Sequence, residues 1–443
     1  MKLSPAILVR GVSWTVAVYA AGQCFRFVSN VILTRLLAPE LFGIITVVHS
    51  ARIGIELISD VGIGQNMVYN KEAEKPEFYN TAWSLQLIRG ILLWAISLIA
   101  AVPLAHFYKS VNLAYLLPVA SLPFIFIGLS STGRYLAQKR MQFVRLNVFE
   151  LILEFISAAV NIVAAYVNPT IWALIFGGVI ASIARMFGSY FLVPGTSHKF
   201  YISKEYAWHI FHFSKWIFVS SLAFFLSMNF DSLYLGKAGT FALLGVYGIA
   251  RALSQQVVAL VTRLNATFVF PIIASSNEHH RDELRKKVAP IRAIFLLVTA
   301  AALSFIAVAS DLLVAALYDQ RYQAAGWMLP IFIVGAWFSI LSNVNESILL
   351  GLGKPSYGAI ASCVKFGWIL IGVPFGYQQY GALGVVVVVA ISDNFRYIPI
   401  LVGQVRERLS FASQDLFITA AAIGMVLIWA LLRWTIGFGI PRI

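Results

Sequence analysis

Apolar stretches long enough to cross a bilayer recur along the whole chain, each closed by a short polar break. A crossing helix needs about 20 mostly apolar residues. Windows of that length fall near 11–36, 41–66, 81–105, 112–136, 147–167, 169–192, 212–236, 245–273, 290–316, 326–351, 355–376 and 381–404, and a thirteenth follows at 412–434. The longest polar breaks, near 67–80, 194–211 and 274–289, leave no room for a folded domain outside the membrane. The pattern predicts an all-α polytopic membrane protein. The first span carries Arg26 and shows no convincing small-residue cleavage site, so it reads as a retained helix and not a signal peptide.

The breaks are not all alike. "LTRLLAPELFGI" at 33–44 separates the first two spans, and "LGKAGTFALLGV" at 235–246 separates the seventh and eighth. At an offset of 202, Leu33 meets Leu235, Arg35 meets Lys237, Leu41 meets Leu243 and Gly43 meets Gly245. A looser echo links "LAQKRMQF" at 136–143 with "GLGKPSYG" at 351–358. Duplication of a six-helix unit accounts for both, with halves at 1–198 and 199–405 and an extra hydrophobic segment in 406–443. Because six is even, the halves share one orientation and are related by an axis along the membrane normal. The expected architecture is two six-helix bundles with pseudo-twofold symmetry around a central cavity. Arg35, Gly43, Lys237 and Gly245 are candidate hinge or gate residues, with plain turns between helices as the alternative.

Composition agrees with the pattern: 60% of the 443 residues are hydrophobic and 12% charged, and the mean hydropathy is +0.81. The net charge of +14 would suggest nucleic acid in a soluble chain, but topology explains it here. With a cytoplasmic N-terminus, nineteen basic residues fall on the cytoplasmic face and four on the other, a strong positive-inside bias. The two cysteines, Cys24 and Cys363, lie within spans and establish neither a disulfide framework nor a metal site.

With the C-terminal Arg433 and Arg442 set aside, eight basic residues remain within the first twelve spans. Arg89, Arg185, Arg263 and Arg396 lie near cytoplasmic helix ends, where simple anchoring by snorkelling suffices. Arg26, Arg52, Arg251 and Lys365 are deeper, and a central cation costs at least about 2.5–3.5 kcal/mol unless it faces protein or water. Helical spacing places polar residues in stripes: Tyr19, Gln23, Arg26 and Asn30; His49, Arg52, Glu56 and Asp60; Glu150, Glu154, Ser157 and Asn161; Arg251, Gln255 and Thr262; Ser339, Asn343 and Glu346. Several such stripes on apolar helices imply a hydrated interior. Arg26, Arg52, Arg251, Lys365, Tyr19, Gln23 and Gln255 are therefore candidate cavity residues, and Glu56, Asp60, Asp231 and Glu346 candidate coupling or charge-pairing groups. Three plainer roles stay open. Arg52 and Glu56 can bridge within their helix, Glu150 and Glu154 can bind Arg140 and Arg145, and Asp231, Asp393 and His49 can serve as helix–helix hydrogen-bonding groups.

Soluble chemistry finds little support. Gly353-Lys354 is followed by Pro355, which breaks the phosphate-loop pattern, and there is no Gly-x-Ser-x-Gly elbow or His/Cys cluster for a metal. No cofactor is called for. A membrane glycosyltransferase or ligase would need a sizeable external loop, and no break exceeds about twenty residues.

The corner "LTRLLAPELFGI", with "YLAQKRMQF", "DSLYLGKAGTFALLGVYGIA" and "LLGLGKPSYGA" in the same order and places, resembles bacterial polysaccharide transporters. These are the O-antigen-type oligosaccharide flippases of the multidrug/oligosaccharidyl-lipid/polysaccharide exporter superfamily. The likeness runs over about residues 8 to 405 and departs from that family's twelve-helix core in the thirteenth segment. It implies a flippase that moves polyprenyl-diphosphate-linked oligosaccharide repeat units from the inner to the outer leaflet of the bacterial inner membrane. The implied partners are the lipid-linked oligosaccharide, membrane lipids, and a polysaccharide polymerase with its chain-length machinery. Deep cations suit a diphosphate, and aromatics such as Tyr19 and Trp216 suit sugar faces. A drug antiporter on the same fold and a membrane-embedded polymerase or ligase are the competing classes. Four deep cations disfavour a cationic drug.

Overall fold

The computed structural model describes residues 5–58, 63–193, 198–268 and 281–439. Asp60 lies outside the described residues, as do the side chains of Tyr19 and Trp216. Contacts group the chain into two compact units, Met1–Phe225 and Leu226–Ile443.

In the first unit the helices are α1 (Pro5–Leu36), α2 (Pro39–Ile58), α3 (Ile63–Tyr69), α4 (Pro76–Phe107), α5 (Asn112–Ala120), α6 (Pro123–Leu129), α7 (Gly133–Lys139), α8 (Phe143–Val167) and α9 (Ala173–Ser189). Helix α10 (Lys204–Ala238) carries the chain into the second unit, where α11 (Phe241–Phe268), α12 (Arg281–Leu317), α13 (Ala325–Gly351), α14 (Ser356–Arg406) and α15 (Ala412–Thr435) follow. Every segment predicted from the hydrophobic pattern is mainly helical over its described residues, with breaks within 112–136 and a late helix start in 169–192. Among the described residues eight helical stretches are long and apolar enough to cross a membrane, and the chain is a multi-pass membrane protein.

Several boundaries differ from the pattern for local reasons. The predicted span 112–136 is three short helices, because Pro123 lacks the N–H that would continue α5 and the Ser130–Thr132 run ends α6. Gln86 on α4 caps the gap by donating to the Ile127 and Ser130 carbonyls at 2.8 and 3.0 Å. Helices α10 and α12 begin well before their apolar windows, since polar residues such as those of "RDELRKK" are good helix formers that need no lipid. Spans eleven and twelve form α14, broken only at Gly381 (φ 60°, ψ −137°), a conformation that glycine alone adopts cheaply. Its two arms touch backbone to backbone, because a Cβ on Gly384 would lie 2.0 Å from the Gly376 carbonyl.

The two echoed corners agree residue by residue. Helices α1 and α2 are separated by residues 37–38, and α10 and α11 by 239–240. The amide of Leu37 donates to Leu33 O at 2.9 Å, and that of Gly239 to Leu235 O at 2.8 Å, the same bond at the same offset. The looser echo also has one geometry. Met141 and Gly353 both take positive φ after a helix end, while Gln142 N and Lys354 N bond back to Ala137 O and Leu349 O at 2.9 Å.

Within the first unit α8 packs on α1 and α9, and α4 on α5 and α6. The connector leading to α10 is strapped along the start of α4. Lys199 N, Tyr201 N and Ser203 N donate to the side chains of Asn80, Ser84 and Thr81 at 3.0, 2.9 and 3.1 Å. The strap begins at His198, which stacks on Trp83 and meets Tyr79 and Tyr190 edge-on, with Nε2 2.7 Å from Ser131 Oγ. Its Nδ1 is buried without a partner. Burial lowers its pKa to about 4 from the ordinary 6.5. Since the unfolded chain binds the extra proton between those values, the strap's contribution to stability is full above about pH 6.5 and is lost as pH falls toward 4. Limited proteolysis of residues 198–203 is expected to accelerate below about pH 5 in the wild type and to lose that pH dependence in His198→Gln.

Candidate functional site

The charged stripes do not stay free; most of their members find partners that the one-dimensional pattern did not specify. In the first unit, Arg26 on α1 pairs with Glu154 on α8. One turn earlier on α8, Glu150 takes Arg185 of α9 in a two-pronged bridge, 2.6 Å on each prong. Of the roles left open by the sequence, binding of Glu150 and Glu154 to Arg140 and Arg145 is not the one adopted: Arg140 pairs with Glu74, and Arg145 donates to the Phe191 carbonyl. Asn161 leaves the stripe as well, accepting from Gly177 N at 2.8 Å where α8 and α9 touch.

Arg52 on α2 is different. It makes no ion pair or hydrogen bond with any described residue, and its Nε is buried without a partner. Glu56, one turn on, forms no bridge to it, and the Glu56 carbonyl instead accepts from Arg89 at 2.9 Å. Gln23 is half-buried, and His49 is exposed.

In the second unit, Arg251 on α11 is locked. It donates to Asp231 and Ser232 of α10 and to the Met228 carbonyl at 2.5 Å, while the Tyr247 hydroxyl donates to the same Asp231 oxygen. Asp231 is 1% exposed. Lys365 on the first arm of α14 is clasped by both oxygens of Asp393 on the second arm, 2.9 Å each. Arg396, which the pattern assigned to snorkelling, instead reaches Glu346 and Asn343 of α13, and Asn343 donates to Thr262 of α11 at 3.3 Å. The α11 and α13 stripes therefore meet, whereas Gln255 remains exposed on α11.

Magnitudes separate these groups. An exposed pair is worth about 0–1 kcal/mol, so a ligand displaces it readily. Removing one partner of a buried pair costs about 3–5 kcal/mol, because the other charge is stranded. The side chains of Arg26 and Glu154 are 59% and 27% exposed, against 12% and 1% for Arg251 and Asp231. Of the deep cations, Arg26 and Arg52 are thus the two without a buried ion pair among the described residues, while Arg251, Lys365 and Arg396 hold helices together through Asp231, Asp393 and Glu346. At the corners Arg35 and Lys237 are exposed in the last turns of α1 and α10, and Gly43 and Gly245 are buried in α2 and α11. Among the described residues no group of three His, Cys, Asp or Glu side chains is placed to hold a metal.

Comparison with known proteins gives the class first. The chain has the fold of the lipid II flippase MurJ in an inward closed conformation, with a TM-score of 0.75 at 13% identity over 94% of this chain and 92% of that one. An inward-facing multidrug resistance MATE family transporter of the MOP superfamily matches at a TM-score of 0.67 and 16% identity, over 87% and 94% of the two chains. The fold is that of MOP-superfamily membrane transporters. Residues 32–326 match the family described as "Polysaccharide biosynthesis protein", and the chain belongs to that family. Relatives include the teichuronic acid biosynthesis protein TuaB of Bacillus subtilis, 21% identical over 68% of this chain and 62% of that protein. The match thus spans less than two thirds of TuaB. The lipopolysaccharide biosynthesis protein WzxC of Escherichia coli is 21% identical over 85% of this chain and 76% of its own length.

Proposed function

We propose that this protein is a flippase that carries polyprenyl-diphosphate-linked oligosaccharide repeat units from the inner to the outer leaflet of the bacterial inner membrane, for surface polysaccharide assembly. The observation that carries the reading is the first unit's two cations on the predicted spans 11–36 and 41–66: Arg52, which no carboxylate among the described residues bridges, and Arg26 with only an exposed, single-point one. Cations on a spanning helix are kept where they meet water or a charged ligand. A diphosphate offers several oxygens to guanidinium groups through charge-assisted bonds about twice as strong as neutral ones. Family membership and relatives named for teichuronic acid and lipopolysaccharide biosynthesis support a glycan cargo.

In this reading the protein transports and performs no covalent chemistry. Residues 1–198 and 199–405 are the two repeats, residues 406–443 hold the added helix, and alternating access moves the repeats about a central site. Gln23 and Gln255 are assigned to the sugar-bearing part of the cargo and Glu56, one turn from Arg52 on α2, to coupling transport to an ion; Tyr19 and Asp60 are candidates for the same two roles from the sequence alone. A polymerase and its chain-length partners take the cargo on the far side. Deleting the gene and assaying the lipid-linked repeat units tests the function: they are expected to accumulate on the inner leaflet, and unchanged distribution between leaflets would remove the proposal.

The orientation places the N-terminus in the cytoplasm, so a single cysteine at Glu40 is expected to react with impermeant reagent from the periplasm only. Labelling from the cytoplasm alone would invert the topology. The matched corners are proposed as hinges. Gly43→Leu together with Gly245→Leu is expected to slow transport at least about tenfold, the effect of some 1.4 kcal/mol on a barrier. Protein remains in the membrane, and unaltered flux would reduce the corners to plain turns.

A further inference from the structure

The Arg26–Glu154 pair has an arrangement that the buried pairs lack. The carboxylate touches Arg26 through one oxygen and makes no other hydrogen bond among the described residues, whereas Glu150, one turn away on the same helix, is held by both prongs of Arg185. The Arg26 and Glu154 side chains are 59% and 27% exposed, and within a segment that the hydrophobic pattern predicts to span, over 11–36, an exposed charge is kept where it meets water or a charged ligand. The close approach also depends on Gly22, one turn before Arg26: a Cβ there would lie 2.4 Å from Glu154 Oε2. The sequence thus clears a path for this carboxylate to an arginine that an anionic headgroup would otherwise occupy.

We infer that Glu154 is an internal placeholder for the ligand's phosphate, occupying Arg26 when the site is empty and yielding it when a diphosphate-bearing lipid arrives. The inference rests on the reading that the site takes such a lipid. A resident anion does two things for a transporter. It keeps the cation from drawing in free phosphate or anionic phospholipid, and it competes for Arg26 at the end of the cycle, which speeds release. Because the pair is weak and exposed, the ligand displaces it at small cost.

The test is binding of farnesyl diphosphate, with farnesol as the uncharged control, to the full-length protein in nanodiscs. Wild type is expected to prefer the diphosphate, and Arg26→Ala to lose about tenfold or more. Glu154→Gln is expected to bind about two- to fivefold tighter, the range an exposed pair leaves, with slower release. Gly22→Ala keeps every charge but pushes the Glu154 carboxylate aside, so it is expected to tighten binding as well. Adding Glu154→Gln to Arg26→Ala should change nothing further, because the competitor acts only through Arg26. If wild type binds farnesyl diphosphate no better than farnesol, the diphosphate reading itself fails. If the Arg26→Ala loss is present while Glu154→Gln and Gly22→Ala bind no tighter than wild type, only the placeholder is overturned.

Discussion

Arg52→Ala is expected to abolish surface polysaccharide in a complementation assay at normal protein levels. The guanidinium has no bond to any described residue, so its removal strands no buried carboxylate and the fold is spared. What is lost is a charge-assisted bond to the cargo, roughly 1.5–3 kcal/mol or about 10- to 150-fold in headgroup capture. Arg52→Lys is expected to recover part of the activity, since the charge remains while the planar fork does not. Arg251→Ala and Lys365→Ala should separate from it in kind. They leave Asp231 or Asp393 buried without its cation, and the first reading to fall is protein level, before transport per molecule. Wild-type polysaccharide from Arg52→Ala at matched expression would remove Arg52 from the site.

That contrast was not legible from the chain alone. Helix positions were, because a bilayer demands long apolar runs and the short breaks between them leave few alternatives. The corner at 33–44 and its echo at 235–246 were legible to the residue, since the two-residue gaps and their closing bonds fall at one offset. Partners were not. Arg26 meets a glutamate 128 positions away, and nothing in either stripe names the helix it packs against. Depth escapes the pattern for the same reason: Arg396 reads as a cation near a helix end, yet its side chain is only 14% exposed and pairs with Glu346 because α13 lies beside it. Arg292 is one of the nineteen basic residues that the charge count places on the cytoplasmic face, and that count gives no hint that it is fully buried. A signal existed in the acids. Asp311, Asp393 and Asp415 lie in or at the ends of apolar segments, and each requires a cation or donor that a charge count by face does not supply.

Arg292 carries the largest expected effect on stability. On α12 it donates to Asp415 and Gln414 of α15 and to Asn345 of α13, and its guanidinium lies 4.9 Å from the Phe411 ring centre. Asp415 also accepts from Asn345 at 2.8 Å and from the Tyr397 hydroxyl at 2.6 Å, so one buried hub ties α12, α13, α14 and α15. A second pair closes the far end of α15, where Arg433 grips both oxygens of Asp311 on α12. Between Asp415 and Arg433 the helix rises about 27 Å at about 1.5 Å per residue, close to the hydrocarbon thickness of about 30 Å. The thirteenth segment is thereby fastened to α12 at two levels one membrane apart, the two helices running in the same direction, as a spanning helix requires. Arg292→Ala strands a buried aspartate and is expected to cost about 3–5 kcal/mol, read as a marked fall in the temperature at which the detergent-solubilised protein loses its monodisperse peak. Arg292→Met combined with Asp415→Leu removes both charges and is expected to regain most of that loss, because an apolar replacement of a buried pair is often neutral or better. Removing α15 by truncation after Phe411 is expected to destabilise at least as much as Arg292→Ala, since it exposes the cation and its apolar surroundings together. Unaltered thermal stability in both the single variant and the truncation would show that α15 is an appendage and the hub no anchor.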